Sequence, residues 1–290
     1  MGELHTVKTN RKLMLAAVLL LFLISPYFTQ AAQAVWQGAS AVSVRHHYRY
    51  WPALESKHFH LRYSEADRDL AEWLGREADH AALQVANILP HNMDQSRPWL
   101  VVVPDQETLK RVFGWSDATG ALGVYVADTV KILSPAAWEW REPEKRQALF
   151  SKQGPLVHEY THYVLDLRTN GNYTRWFSEG LAQLLEYHIL GYEWLEAHSS
   201  LAAPHYSLEE LDRSFDNLPH EALVYRQSLC MVTFLESKGG TEKLNELIDT
   251  LGDGVSFYAA LEQVYGLNKA DFFNEWQQWY PQDSRWFMTR

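Results

Sequence analysis

The sequence predicts an α+β fold in which a sheet is built first and helices follow. Between residues 58 and 133, short apolar or alternating runs separated by turn residues are typical of strands. From residue 155 onward, apolar side chains instead recur every three or four positions, which indicates helices. The chain of 290 residues is 47% hydrophobic and holds 12 Trp, so it can bury a substantial core.

The first part of the chain is predicted to alternate strands and helices and to end in a hairpin. Its elements are a strand over 58–63, a helix over 66–89, a strand over 99–103, a short helix near 105–113, and strands near 121–126 and 129–133. Ala127 and Asp128 stand at the turn of the hairpin. Residues 138–146 then lead as a loop into a polar helix.

The second part is predicted to be almost entirely helical. Pro155 after Gly154 suits a first helical turn, and Asn170-Gly171 suits the end of that helix. A second helix follows the loop 169–174 and ends at Gly191. Residues 207–210 have a capping-box pattern, and four more helices are predicted near 221–238, 241–251, 256–265 and 268–280.

The pentad His158-Glu159-Tyr160-Thr161-His162 is the feature that indicates a chemistry. On a helix, its two histidines lie one turn apart on the same face, which is the spacing of a zinc site. Glu159 projects to one side of the histidines, where it can act on a bound water as a general base instead of binding the metal. The alternative is a pair of surface histidines that happen to flank an acid.

A zinc ion held by two histidines needs a third protein ligand, and a catalytic zinc keeps a fourth position for water. Glu179, in the segment 176–186, is the candidate for that ligand. Two helices joined by so short a loop pack antiparallel, which brings the start of the second beside the middle of the first. The alternative is that Glu179 only complements the dipole at the start of its helix.

These residues resemble the gluzincins, and within them the peptidase-MA-like metallopeptidases. The resemblance rests on HEYTH, on RWFSEGLAQLLE around Glu179, and on Val224-Tyr225-Arg226-Gln227-Ser228, and it covers roughly residues 56–279. It implies a zincin-like fold and a peptide or protein substrate. It also implies that Tyr225 donates a hydrogen bond to the oxyanion of the transition state. A core tyrosine at this position, or donation by His205 or His220, are the alternatives.

Three further residues lie on the same helix faces as the predicted ligands. Asp166 follows His162 by one turn, whereas Gln183 and Glu186 follow Glu179 by one and two turns. Each could orient a zinc ligand, and ordinary helix-surface polarity is the alternative for all three.

In zincins an edge strand receives the substrate by strand addition, and residues 120–125 are the candidate for it. Those residues lack the glutamate with which the aminopeptidases of the family bind a free amine. An endopeptidase, or a peptidase that anchors its substrate in another way, is therefore favoured. The alternatives are a zinc-containing cell-surface binding protein without activity, and a zinc hydrolase of a non-peptide amide or ester.

The N-terminus has the order of a secretory signal, with basic residues, the apolar run Leu13 to Ile24, and Ala32-Gln33-Ala34 as the cleavage site. An uncleaved anchor is the alternative, and either would place the protein outside the cytoplasm, secreted or tethered to a membrane. The expected division is a signal or anchor over 1–34, a linker over 35–55, a zincin-like catalytic domain over 56–200 and a helical subdomain over 201–290.

Charge and cysteine content limit the partners of the protein. A formal net charge of -10 disfavours binding to nucleic acid. Cys230 is the only cysteine, so the chain has no intrachain disulfide, and its apolar neighbours predict a thiol inside the core. No feature of the sequence indicates an oligomeric state.

Overall fold

The computed structural model describes residues 42, 44–111, 121–138 and 142–289. The predicted signal segment and Gly120 of the predicted edge strand lie outside this part of the chain. Within it, the predicted α+β order is confirmed, because a mixed sheet comes first and a helical part follows.

The sheet has five strands. They are β1 (Ala53–Glu55), β2 (His60–Tyr63), β3 (Trp99–Val103), β4 (Gly123–Val126) and β5 (Thr129–Leu133). Their spatial order is β1-β2-β3-β5-β4, with β2, β3 and β5 parallel to one another and antiparallel strands at both edges. Strand β4 is therefore an edge strand among the described residues, with no described strand paired to its other side.

The described α-helices are α1 (Ala71–Ile88), α2 (Gln106–Arg111), α3 (Arg146–Gln153), α4 (Leu156–Thr169), α5 (Arg175–Leu190), α6 (Leu208–Ser214), α7 (Glu221–Ser237), α8 (Gly240–Gly252), α9 (Phe257–Tyr265) and α10 (Lys269–Trp279). Among them, α1, α2 and α4 pack on this sheet and most of the others continue beyond it. Across the described residues, none of the helices is both long and apolar enough to cross a membrane.

Local sequence accounts for most of these boundaries. Ala127 (φ 48°) and Asp128 (φ 58°) both adopt the left-handed conformation, as a two-residue hairpin turn between β4 and β5 requires. Helix α4 ends at the left-handed Asn170. Ser207 and Glu210 form the predicted capping box at the start of α6.

Two expectations differ from the structure in the first part of the chain. The helix expected from residue 66 begins as a 3-10 segment, Glu65–Leu70, before α1 proper. The strand expected from residue 58 begins at His60 and pairs with β1, a three-residue strand that the sequence did not indicate. So short a strand lacks a pattern that distinguishes it from a loop.

The core lies between the sheet and α4 and continues into the helical part. Helix α4 packs against β4, β5 and α1 on one side and against α5 and α8 on the other, while α5 packs tightly on α7. Cys230 of α7 is fully buried, as predicted, and its sulfur accepts a hydrogen bond of 3.2 Å from Trp276. The fold thus places α4 and α5 at the centre of the molecule.

Candidate metal centre

Helices α4 and α5 bring the three predicted ligands together. Atoms of His158, His162 and Glu179 all lie within 4.8 Å of one another. The Nε2 atom of His158 is 3.1 Å from Glu179 Oε2, and the Nε2 atom of His162 is 3.5 Å from Glu179 Oε1. All three side chains are mostly buried, so their donor atoms converge in a sheltered site.

The outer nitrogen of each histidine is held by a residue of α5. His158 Nδ1 is 2.9 Å from Glu186 Oε2, and His162 Nδ1 is 2.8 Å from Ser178 Oγ. Such partners fix the ring orientation and leave Nε2 facing the site. Asp166 and Gln183, which were also predicted to orient a ligand, have other hydrogen-bond partners. Asp166 accepts a hydrogen bond from Tyr173, and Gln183 donates to the backbone carbonyls of Glu179 and Tyr225.

This geometry fits a zinc ion. Zinc binds histidine nitrogen and carboxylate oxygen at roughly 2.0 to 2.2 Å, so tetrahedral ligand atoms are about 3.4 Å apart. The two N–O distances of 3.1 and 3.5 Å, each to a different oxygen of Glu179, are close to that spacing. The set of two imidazoles and one carboxylate is also the donor set of catalytic zinc sites, which keep a fourth position open.

Neighbouring charges stabilise the ionised carboxylate of Glu179. Arg175 forms an ion pair with Glu179 and lies 3.3 Å from Asp216. Burial by itself would raise the pKa of Glu179, but Arg175 and the two histidines hold that pKa well below its usual range. Burial lowers the pKa of His162 to about 3, whereas the carboxylates of Glu186 and Glu179 hold the pKa of His158 well above its usual range.

Glu159 lies between the histidine pair and the edge strand. A Cβ added at Gly123 of β4 would be only 3.0 Å from Glu159 Cγ and 2.7 Å from Pro155 Cβ, so the strand passes directly over the start of α4. Burial raises the pKa of Glu159 to about 8. The carboxyl group thus adjoins both the candidate ligands and the strand expected to receive substrate.

Tyr225 enters the site from α7. Its ring packs between Trp194 and Phe215, with ring centroids 5.5 Å away in each case. Burial, followed by the negative charge of Glu179, raises its pKa well above the ordinary value. Its hydroxyl therefore keeps its proton at neutral pH and remains a hydrogen-bond donor.

His205 and His220, the alternative oxyanion donors, lie in surroundings different from those of Tyr225. His205 is packed against α10, where its ring contacts Trp276 edge-on and its Nε2 lies 2.8 Å from Gln277. His220 immediately precedes α7 and its ring lies 5.5 Å from that of His198. Tyr225, by contrast, lies where the charge of Glu179 acts on its hydroxyl.

Arg175, Ser178 and Tyr173 contribute to the site without having been predicted from the sequence. The sequence could have indicated the ion pair of Arg175 with Glu179, because residues four apart meet on one face of a helix. Ser178 and Tyr173 carry no such signal, since their partners lie on α4. Their roles depend on how α4 and α5 pack against each other.

Comparison with known proteins adds one finding. Residues 146–282 match the family model described as the peptidase MA superfamily, which is consistent with the gluzincin-like resemblance of the sequence. The matched segment begins at α3, contains the whole cluster of candidate ligands and ends just after α10. The fold has the zincin-like arrangement of that superfamily. No curated protein matches the chain.

Proposed function

We propose that the protein, whose residues 146–282 match the family model of the peptidase MA superfamily, is a zinc-dependent endopeptidase of the gluzincin type. The observation that carries this proposal is the convergence of His158, His162 and Glu179, with the outer nitrogens of both histidines held by α5. A surface pair of histidines would have neither buried partners nor a converging carboxylate.

The three converging side chains would hold zinc. When bound, zinc supplies Lewis acidity, which polarises a substrate carbonyl and makes a water molecule easier to deprotonate. Glu159, adjacent to the ligands but outside their cluster, would accept the proton of the attacking water and pass it to the leaving amine. Tyr225 would donate a hydrogen bond to the oxyanion as negative charge develops there.

The edge strand supports a peptide as the substrate. The unpaired side of β4 can hydrogen-bond an extended chain, and Gly123 brings this strand close to Glu159. Residues 123–126 contain no acidic side chain that would pair with a free amino terminus. We therefore infer cleavage within chains rather than removal of single N-terminal residues.

We further propose that the protein is exported. The support is the order of basic residues, apolar run and Ala32-Gln33-Ala34 at the N-terminus. The alternative, an uncleaved anchor, places the same catalytic part on the outer face of the membrane.

Mass spectrometry of a mixed proteome incubated with the purified protein tests the proposed activity. We expect new peptide ends in the wild-type sample and almost none with Glu159→Gln, which keeps the size of the side chain but not its basicity. Both proteins should carry the same amount of zinc. No new peptide ends from zinc-loaded wild type would contradict the proposal and favour a binding protein or a hydrolase of other amides or esters.

A further inference from the structure

The C-terminal segment (residues 285–288) is held in place through its backbone. Each of its four carbonyl oxygens accepts a hydrogen bond from α7 or from the connection between α5 and α6. The pairs, with the donor first, are Arg226 with Arg285 and Met288, Leu201 with Trp286, and Ser200 with Phe287. Arg226 of α7 therefore binds both ends of the segment.

A buried ion-pair network joins this segment to the connection that follows α5. Glu193 Oε1 lies 3.3 Å from a guanidinium nitrogen of Arg226, and Glu193 Oε2 lies 3.1 Å from Nε of Arg285. The side chain of Arg226 is 1% exposed and that of Glu193 is 11% exposed. A buried guanidinium is stable only where an opposite charge and hydrogen-bond acceptors surround it. Arg226 therefore requires both Glu193 and the C-terminal segment.

The residue after Glu193 reaches the candidate oxyanion donor. The ring of Trp194 lies edge-on to that of Tyr225, with 5.5 Å between the centroids and 80° between the planes. Trp194 Nε1 donates a hydrogen bond of 3.0 Å to Glu196, so the indole has a second anchor. Because Glu193 and Trp194 are neighbours in the chain, a fixed Glu193 limits the positions open to the indole. The clamp on Glu193 thus extends to one side of Tyr225.

We propose that Arg226 is a positioning residue for Tyr225. By holding Glu193 and the C-terminal segment together, Arg226 keeps Trp194 against the tyrosine ring and so limits where the hydroxyl can lie. Arg226 is too deeply buried to touch a substrate, so it acts only through these neighbours. The inference rests on the proposed function, because the position of Tyr225 affects turnover only if Tyr225 donates to the oxyanion.

Steady-state kinetics of Arg226→Lys on a peptide substrate tests the effect on turnover. Lysine keeps the positive charge but lacks the planar fork that reaches two carbonyls and a carboxylate at once. We expect kcat to fall by about tenfold, because small misplacements of a reacting group are costly, while KM and zinc content stay unchanged. Ser200→Ala, which removes one hydrogen bond to the C-terminal segment, should show a smaller loss of the same kind and serves if Arg226→Lys does not fold. Unchanged kcat in the folded variants would overturn the inference.

The double variant Arg226→Lys/Tyr225→Phe distinguishes positioning of the hydroxyl from a general loss of activity. Once the hydroxyl is absent its position no longer matters, so the double variant should be no slower than Tyr225→Phe alone. Losses of kcat that multiply would contradict an action of Arg226 through Tyr225.

Arg168→Lys is the matched control. Arg168 of α4 has a side chain that is 11% exposed and binds Asn245 and Asp249 of α8, which lie outside the clamp. We expect urea denaturation to show lower stability in this variant, with kcat unchanged. An equal fall in kcat in the control would mean that the loss of any buried arginine slows the protein, and the inference would be wrong.

Fluorine NMR of protein labelled with fluorotyrosine reports the surroundings of Tyr225 without any turnover. The Tyr225 signal is the one missing from Tyr225→Phe. We expect this signal to move or broaden in Arg226→Lys, because the indole beside it shifts, and to stay unchanged in Arg168→Lys. An unmoved signal in Arg226→Lys would overturn the inference even if kcat falls. A moved signal together with a wild-type protein that cleaves no peptide would contradict the proposed function and leave the positioning of Tyr225 supported.

Discussion

Tyr225 is held in place by its surroundings, so its hydroxyl can be removed with little disturbance. Trp194 and Phe215 flank the ring, and the carbonyl of Tyr225 accepts a hydrogen bond of 2.8 Å from Gln183. A phenylalanine keeps all of these contacts. The substitution Tyr225→Phe therefore isolates the contribution of the hydroxyl.

We expect Tyr225→Phe to lower kcat by about 10² to 10³, the usual loss when one oxyanion donor is removed, with KM and zinc content nearly unchanged. Steady-state kinetics on a peptide found in the proteome experiment measures this. Tyr258→Phe, which removes a hydroxyl bonded to Asp212 rather than to a candidate ligand, is the control. Normal turnover in Tyr225→Phe together with failure of His205→Ala or His220→Ala would transfer the role to a histidine.

At the scale of single residues, the site was predictable where one helix determines it. The i, i+4 spacing fixes His158, Glu159 and His162 relative to one another in any fold that keeps the helix. Ser178 was not predictable, because it meets His162 only through the register of α4 against α5. Glu186 was placed on the face of Glu179, yet its partner is His158 on the other helix.

At the scale of elements, the packing of α5 on α7 brings Tyr225 to Glu179. Gly180, next to Glu179, is where the two helices touch. A Cβ at this position would be 2.3 Å from the carbonyl oxygen of Ser228 and 2.6 Å from Val232 Cγ2. Since a backbone carbonyl cannot turn aside as a side chain does, a larger residue must push α7 away.

Gly180→Ala should therefore destabilise the protein by about 1 to 3 kcal/mol, the usual cost of overpacking, although alanine favours a helix. It should also lower turnover, because Tyr225 moves with α7. Urea denaturation and peptide kinetics measure the two effects. Gly75→Ala in α1 is the matched control, since its Cβ would meet only side chains, Leu54 at 3.2 Å and Ser56 at 3.5 Å. A Gly180→Ala protein as stable and active as the control would contradict this account.

Long, periodic elements were predictable from the sequence, whereas short ones and their pairing were not. Helices α7 to α10 lie within two residues of their expected bounds, because each has an apolar face of several turns. Strand β1 has three residues and exists through its pairing with β2. The order of the strands, which leaves β4 at an edge, likewise depends on contacts between segments far apart in the chain.

At the scale of the whole molecule, the described fold needs no disulfide. Its one cysteine is buried in α7, and a continuous set of buried apolar side chains runs from the sheet to α10. A protein stabilised in this way can fold after export without an oxidation step.

We expect protein recovered from the producing cell to begin near Val35, because the apolar run is followed by Ala32-Gln33-Ala34. N-terminal sequencing reads this directly. Replacing Ala34 with a bulky residue should block cleavage and leave a longer form attached to the membrane. An intact Met1 on membrane-bound wild-type protein would instead support an anchor.

Elemental analysis of purified protein tests the central claim, that His158, His162 and Glu179 hold one zinc ion. We expect about one zinc per chain in the wild type and almost none in His162→Ala. His188→Ala, which alters a histidine of α5 that pairs with Glu236 outside the site, should keep its zinc. Circular dichroism confirms that each variant is folded. Equal zinc in wild type and His162→Ala would contradict the claim.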